Sequence, residues 1–159
     1  MRTLISPRST RLLLGFALLL SAQLATAQNN LGELLDAGAK RLSVEEFKEE
    51  LVQRVIVGPT PAGGTLEVMY QSNGLIQGTG MYSKATIPQA GTIFGEWTID
   101  DNGRICASMQ VTGSGGGGYG QGVTLPRRCQ FWFKNGEQYF LSDYDSDRGA
   151  RVLRRTLKQ

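Results

Sequence analysis

The sequence predicts an α+β fold, in which an N-terminal helix packs on an antiparallel β-meander or a small β-barrel of about seven strands. Helical patterning is confined to residues 28–54, whereas apolar and polar residues alternate through much of residues 55–159. Three Asn-Gly turn signals interrupt that alternation. The chain has two cysteines, Cys106 and Cys129, which we expect to form one structural disulfide.

The first 27 residues have the pattern of a signal peptide. Three arginines precede the apolar run of residues 12–20, and Ala25-Thr26-Ala27 places small residues where a signal peptidase reads them. We expect cleavage near Ala27 and a periplasmic or secreted protein that forms one globular unit over residues 28–159. No later segment approaches the roughly 20 apolar residues of a membrane-spanning helix, so no transmembrane segment is expected.

The net charge of +3 belongs to the predicted signal peptide. Its removal takes away three arginines and no acid, so 17 minus 3 leaves 14 basic residues against 14 acidic ones. Residues 101–159 nevertheless carry nine basic and five acidic side chains. This basic half either neutralises the acidic half within the fold or presents a surface to an anionic glycan. Nucleic acid is not an expected partner of an exported protein.

Two short helical signals occur between residues 28 and 54. Asn30 is a suitable cap for a first turn that Gly38 would end. Ser43 and Glu46 then form a capping-box pattern, with Leu42 placed to pack on Phe47. The apolar face of this second helix is expected to pack on a sheet.

Three hairpins are predicted from their turn residues: Asn73-Gly74, Asp101-Asn102-Gly103 and Asn135-Gly136. We expect residues 58–64 to break regular structure and residues 83–90, with a proline, to form a loop. Trp97 and Trp132 are expected in the core. In the third hairpin the expected cross-strand pairs are Lys134 with Glu137, Trp132 with Tyr139, and Phe131 with Phe140.

Residues 151–158 are expected to close the sheet. In a strand, Arg151, Leu153, Arg155 and Leu157 share one face, and Arg154 lies on the other. Charges on an edge strand, which oppose aggregation, explain these arginines at least as well as a ligand does.

A set of short motifs runs from the second helix to the cysteines. They are Gly-Ala-Lys-Arg-Leu-Ser-x-x-Glu-Phe from Gly38, Val57-Gly58-x-Thr60, Tyr70-x-x-Asn-Gly-x-x-x-Gly, and Gly95-x-Trp97-x-Ile-x-x-x-Gly-Arg-x-Cys106 followed by Cys129. Over roughly residues 31–145 the chain resembles a family of small exported bacterial proteins catalogued as a domain of unknown function. The resemblance implies a periplasmic β-rich fold with a disulfide and carries over no catalytic residue. A weaker similarity is to lipocalin-like periplasmic protease inhibitors, which also combine Gly-x-Trp with one disulfide.

Histidine is absent from the sequence. Its absence excludes His-dependent nucleophile triads as well as His-ligated zinc and haem. The two cysteines lack the Cys-x-x-Cys spacing of redox catalysts. We therefore expect no catalytic residues and no cofactor.

Two acidic patterns keep weaker hypotheses open. Asp143, Asp145 and Asp147 alternate in a predicted turn and are a weak calcium candidate, although Arg148 and Arg154 stand where an EF-hand has glycine and a bidentate glutamate. The same aspartates with Glu96 could serve a small carboxylate-dependent glycan hydrolase, which needs two acids close together.

The glycine-rich run of residues 113–122 lies between the two cysteines, so a disulfide would anchor both of its ends. Tyr119 at its centre, with Arg127 and Arg128, is a possible contact site on such a loop. The sequence thus predicts a non-catalytic periplasmic binding or interaction module whose partner is an unknown protein or an anionic glycan. An inhibitor of a secreted enzyme and the small hydrolase are the alternatives.

Overall fold

A computed structural model describes residues 28–60, 64–84, 87–113 and 123–159. The predicted signal peptide, Tyr119 and most of the glycine-rich run lie outside the described residues. Within them, no helix has the length and apolar character needed to cross a membrane. The elements in chain order are α1 (Leu31–Asp36), β1 (Lys40–Arg41), α2 (Val44–Leu51), β2 (Val55–Pro59), β3 (Thr65–Tyr70), β4 (Leu75–Lys84), β5 (Ile87–Ile99), β6 (Ile105–Gly113), β7 (Val123–Asn135), β8 (Gln138–Ser142) and β9 (Leu153–Leu157).

Strands β2 to β9 form a closed antiparallel barrel of eight strands. From β2 to β8 each strand pairs with the next along the chain, and β9 then fits between β8 and β2. Direct pairing of β7 with β8 completes the ring. The short strand β1 lies outside this ring and pairs with the end of β7. Closure leaves no open edge among the eight barrel strands.

The predicted α+β fold, a helix on a meander or small barrel of about seven strands, was therefore wrong. The described part of the chain is mostly β, and the two helices within it are short. The predicted caps are confirmed: Asn30 Oδ1 accepts a hydrogen bond from Glu33 N, and Ser43 and Glu46 form a complete capping box. Each cap, however, begins a helix of only 6 or 8 residues, and β1 separates the two.

Helix α2 covers one end of the barrel rather than lying on a sheet. Its Phe47 ring meets the rings of Tyr70, Trp97 and Trp132 at centroid distances of 5.4–5.6 Å. All four rings are buried, as predicted for both tryptophans. Edge-to-face and tilted contacts of this kind stabilise a core beyond the area that they bury, so this end of the barrel is firmly closed.

A second apolar cluster lies on the outer surface of the barrel. Because side chains alternate along a strand, Trp132 points into the barrel while Phe131 and Phe133 point out. Leu31 and Leu34 of α1 belong to the same outer cluster as these two phenylalanines. Helix α1 therefore shields this part of the barrel wall from water.

The three predicted hairpins are present, but the register of the third was wrong. The structure pairs Lys134 with Tyr139 and Trp132 with Leu141, a shift of two residues from the expected pairs. The turn falls on Gly136 and Glu137 instead of Asn135 and Gly136. A shift of two keeps every side chain on its predicted face, so the core assignment of Trp132 survives.

Two predicted irregular segments are strand in part: the break at residues 58–64 begins only after Pro59, and Thr60 and Gly64 lie outside the strands as predicted, whereas the described residues of the predicted loop 83–90 are strand. Gly58 and Pro59 belong to β2, and residues 83–84 and 87–90, including Pro88, extend β4 and β5. Residues 61–63 and 85–86 lie outside the described part. These glycine and proline residues pair with a neighbouring strand on one side only, which is the position where a sheet tolerates them.

The predicted disulfide is present and ties β6 to β7. Cys106 and Cys129 are directly opposite each other in the ladder between these strands, and Cys106 is fully buried. The bond therefore links β6 and β7 near the Ile105 end of their ladder, whereas Gly113, the described first residue of the glycine-rich segment, lies at the other end of β6 and pairs with Gly91.

Candidate ligand cavity

The barrel encloses a cavity of about 460 Å³. Pockets that bind small molecules commonly have volumes of this order and mostly apolar walls. The wall here is contributed by all eight barrel strands and is dominated by aliphatic side chains, among them Leu66, Val68, Ile93, Met109, Val111 and Leu141.

Small residues at inward-facing positions create this space. Gly80 and Ala107 line the cavity where larger side chains would fill it. At Gly78 and Gly95 the neighbouring strands approach so closely that a Cβ atom would overlap the backbone oxygens of Glu67 and Ser108. The glycines of β4 and β5 thus allow close strand approach on the same face where they leave the interior open.

The cavity is closed at the α2 end and open at the other. The rings of Tyr70 and Trp132 form part of its wall near α2, and the Trp97 indole Nε1 donates a hydrogen bond of 2.8 Å to Gln71 O, which fixes that ring. Thr60, Thr65 and Met81, at the strand ends away from α2, lie at the mouth, where the Met81 side chain is exposed.

A buried arginine is the main polar feature of the cavity. Arg155 lies between Leu153 and Leu157 on the inward face of β9 and is only 6% exposed. Its Nη1 donates a hydrogen bond of 2.9 Å to Arg154 O. Burial lowers the pKa of the guanidinium, opposed by the nearby Tyr70, but arginine stays protonated in proteins. The interior therefore holds a permanent positive charge.

No carboxylate of this chain neutralises that charge. Every Asp and Glu lies within the described residues, and none forms an ion pair with Arg155. In the ladder, Arg155 is opposite Tyr139, whose hydroxyl donates to Glu50 Oε2 at 2.7 Å. Glu50 also accepts from Lys134 Nζ at 2.6 Å. The Glu50 carboxylate, which the Tyr139 hydroxyl contacts, is thus bound by Tyr139 and Lys134 and not by Arg155.

Gly58 makes room for the Arg155 side chain. A Cβ atom at Gly58 would lie 2.7 Å from both Cδ and Nη1 of Arg155 and 2.6 Å from Arg154 O. Any other residue would have to displace these atoms, because contacts under 3.0 Å are not tolerated. The sequence therefore builds a position for a buried guanidinium from two strands.

Tyr70 adds a second polar atom to the cavity. Its ring is fixed against Phe47, Trp97 and Trp132, and its hydroxyl makes no hydrogen bond within the described part of the chain. Burial raises the pKa of Tyr70 to about 12, although Arg155 acts in the opposite direction. The hydroxyl is therefore neutral at physiological pH and can donate a hydrogen bond.

Both groups keep free polar atoms that face accessible space. Among the described residues, no fully buried side-chain nitrogen or oxygen lacks a hydrogen-bond partner. Arg155 Nε and Nη2 and the Tyr70 hydroxyl have no protein partner there, so each of these atoms retains some accessible surface, and both residues line the cavity. A polar molecule in the cavity can reach them.

The aspartates of the calcium hypothesis do not converge on one point. Asp143 accepts from Arg128 at 2.7 Å and from Gln130 at 2.9 Å, and Asp145 pairs with Arg41 at 2.9 Å. Asp147 accepts from the backbone of its own turn. Among the described residues, the one cluster with metal-ligand spacing is Asp100 with the two cysteines, whose sulfur atoms are already joined to each other.

The acid pair of the hydrolase hypothesis is not assembled either. Glu96 is exposed on the outer face of β5. No Asp or Glu belongs to the cavity wall in the part of the chain that the structure describes. The interior thus offers a cation and a phenol, and no carboxylate for general acid or base chemistry.

The predicted basic contact residues do not form one surface. Arg128 lies at the cavity rim and is paired with Asp143, whereas Arg127 donates to Thr98 Oγ1 at 3.0 Å. Tyr119 lies outside the described residues. Lys158 pairs with Glu67, so the positive charges of the C-terminal half are dispersed over the molecule.

Sequence reasoning missed Arg155 and Tyr70 as site residues. The interpretation of Arg155 as an edge-strand charge was wrong, because β9 has a paired strand on each side. The alternation Leu153, Arg155, Leu157 was the available signal, since it places one cation between two apolar residues on one face.

No family model matches this chain, and neither a curated protein nor a solved structure does. The resemblances drawn from its motifs remain expectations.

Proposed function

We propose that this protein is a non-catalytic binding module, exported to the periplasm or the cell exterior, that holds a small apolar molecule inside its barrel. The main observation in support of this proposal is the cavity of about 460 Å³, whose wall is mostly aliphatic. An apolar interior surface that is left unfilled loses packing contacts, and a ligand would restore them.

The expected affinity follows from the area that such a ligand buries. A body of about ten methylenes contributes about 8 kcal/mol, and association costs at least about 4 kcal/mol. The net of about 4 kcal/mol corresponds to a dissociation constant of about 1 mM for the hydrocarbon body alone. Such a protein suits transport or scavenging of poorly soluble molecules.

Export is supported by the disulfide, which persists in oxidising compartments. The signal-peptide pattern of residues 1–27 agrees with this assignment. The predicted role as an enzyme inhibitor depends on the loop around Tyr119, outside the described residues, and stays a prediction. The hydrolase is not proposed, because the described cavity wall contains no acid.

A fluorescence titration of oxidised residues 28–159 with the neutral probe N-phenylnaphthylamine tests the proposal. Ala107→Trp puts a large side chain at one of the smallest inward positions and should abolish binding. Ser108→Trp is the matched control, because Ser108 is the next residue and is exposed on the outer face.

Saturable binding to the wild type and to Ser108→Trp, together with loss in a folded Ala107→Trp, supports the cavity as the site. Equal binding to the two variants contradicts it. Thermal unfolding curves of all three proteins establish that each is folded.

A further inference from the structure

We infer that the ligand is an amphiphile with one anionic head, a carboxylate for example, which Arg155 binds inside the barrel. The inference deepens the proposed function, on which it rests, by assigning the chemical class of the ligand.

The first support is an uncompensated charge. A buried cation is costly unless an anion or several hydrogen bonds compensate it. Only 6% of the Arg155 surface is exposed. Within the described residues its side chain nevertheless makes one hydrogen bond and no ion pair. A ligand anion would supply the missing partner.

The second support is the direction of the free donors. The bond from Nη1 to Arg154 O leaves Nε and Nη2, which lie on one edge of the planar guanidinium group. Two parallel donors on one edge match the two oxygens of a carboxylate. Gly58 confines the other side, since a Cβ atom there would lie 2.7 Å from Nη1 and Cδ.

The third support is the phenol of Tyr70. It lines the same cavity and its hydroxyl is a neutral donor with no partner in the described chain. A head group held by Arg155 can accept a further hydrogen bond from this hydroxyl. The combination favours an anion, because neither group presents a hydrogen-bond acceptor with negative charge.

The charge of the head is limited to about one unit. Two arginines of the described residues line the cavity, and the second, Arg128, is at the rim, where its side chain is 46% exposed and bound by Asp143. A head with two charges would leave one of them uncompensated in an apolar interior. The rest of the wall is aliphatic and suits an alkyl or cyclic hydrocarbon body.

Displacement of N-phenylnaphthylamine by decanoate, decanol and decylamine at neutral pH tests this assignment in the wild type. The three ligands share one alkyl chain and differ in the head group. We expect decanoate to bind about 10–100-fold more tightly than decanol, the range for a charge-assisted hydrogen bond, and decylamine to bind most weakly. This order needs no variant and is independent of any folding defect.

The Arg155→Met variant then tests whether the Arg155 side chain causes the preference for decanoate over decanol. It should still bind the neutral probe and decanol but lose the advantage of decanoate. Arg154→Met is the matched control, because Arg154 is the next residue and its side chain is exposed on the outer face. Tyr70→Phe should also reduce decanoate affinity, by about 10-fold, the lower end of the range for one hydrogen bond to a charged group.

The outcomes separate the inference from the proposed function. If decanoate and decanol bind equally to the wild type, the anionic head is refuted while the apolar cavity stands. If the preference survives in Arg155→Met, the cation is wrongly assigned. If neither the probe nor any of the three ligands binds, the proposed function and the inference both fail.

Discussion

Arg155→Met should stabilise the ligand-free protein while it removes the preference for anions. Holding a lone guanidinium in the barrel costs several kcal/mol of desolvation. One charged hydrogen bond, to Arg154 O, returns about 1.5–3 kcal/mol. Methionine has a similar length, no charge and a flexible side chain that suits an apolar wall. We expect the free energy of unfolding to rise by about 1–4 kcal/mol.

The assay is thermal unfolding of protein stripped of ligand, followed by circular dichroism. For a domain of this size 1 kcal/mol corresponds to a shift of about 4 °C in the melting temperature. The variant should therefore melt about 4–15 °C above the wild type, whereas Arg154→Met should change stability by less than about 0.5 kcal/mol. Removal of bound ligand matters, because a ligand stabilises the wild type selectively.

A fall in melting temperature for Arg155→Met, with none for Arg154→Met, would refute this reasoning. It would mean that the guanidinium holds the barrel together. A buried charge that lowers stability and raises affinity is the usual signature of a binding site.

Three further results are expected. Reduction of the Cys106–Cys129 bond, which closes a separation of 23 residues, should cost about 3 kcal/mol in urea unfolding. Gly58→Val should destabilise the protein by about 1–3 kcal/mol through overpacking against the buried guanidinium. Glu50→Gln should lower the free energy of unfolding at neutral pH but not in acid. Burial raises the pKa of Glu50, but hydrogen bonds from Lys134 and Tyr139 outweigh this and lower the pKa below 4.5. A lowered pKa stabilises the fold above the unfolded value, and that stability is lost as pH falls through the folded value.

Each of these results has a contrary outcome. Unchanged urea midpoints after confirmed reduction would remove the stabilising role of the disulfide. A Gly58→Val protein as stable as the wild type would show that the space around the guanidinium is not tight. A constant difference between Glu50→Gln and wild type from neutral pH down to about pH 3 would contradict the charge-assisted contacts of Glu50.

Local features of this fold could be predicted from the sequence because a few neighbouring residues determine them. The Ser43–Glu46 capping box is formed as expected, and the first hairpin turns at Asn73-Gly74, although positive φ at Gly74 alone makes it a three-residue loop and not the expected type I′ turn. The two cysteines also pair, as their number and predicted compartment indicated. In each case the energetic preference lies within a handful of residues or one obvious pairing.

Barrel closure could not be predicted in this way. It requires β9 to fit between β8 and β2, and nothing in residues 153–157 specifies those partners. The predicted register of the β7–β8 hairpin was wrong for a similar reason. Asn135-Gly136 marks a turn, but pairing of the flanking strands with β1, β6 and β9 decides which residues occupy it.

Prediction of the cavity and its polar residues also required knowledge of which strands pair across the barrel. The shared face of Leu153, Arg155 and Leu157 was visible, but only closure turns that face into an interior. Tyr70 begins one of the short motifs, but nothing in that motif marked it as a ligand contact, because an aromatic residue in a strand is most often a core residue. The cavity itself results from small residues on several strands, whose common position appears only in three dimensions.

The most direct test of the account is nuclear magnetic resonance of the oxidised protein with decanoate. The account predicts intermolecular contacts from the decanoate methylenes to methyl groups of Ile93 and Leu141, both buried in the cavity wall. It also predicts that the decanoate carboxylate perturbs the Arg155 guanidinium resonances. Contacts confined to Phe94, which is exposed on the outer face of β5, with no change at Arg155, would contradict it.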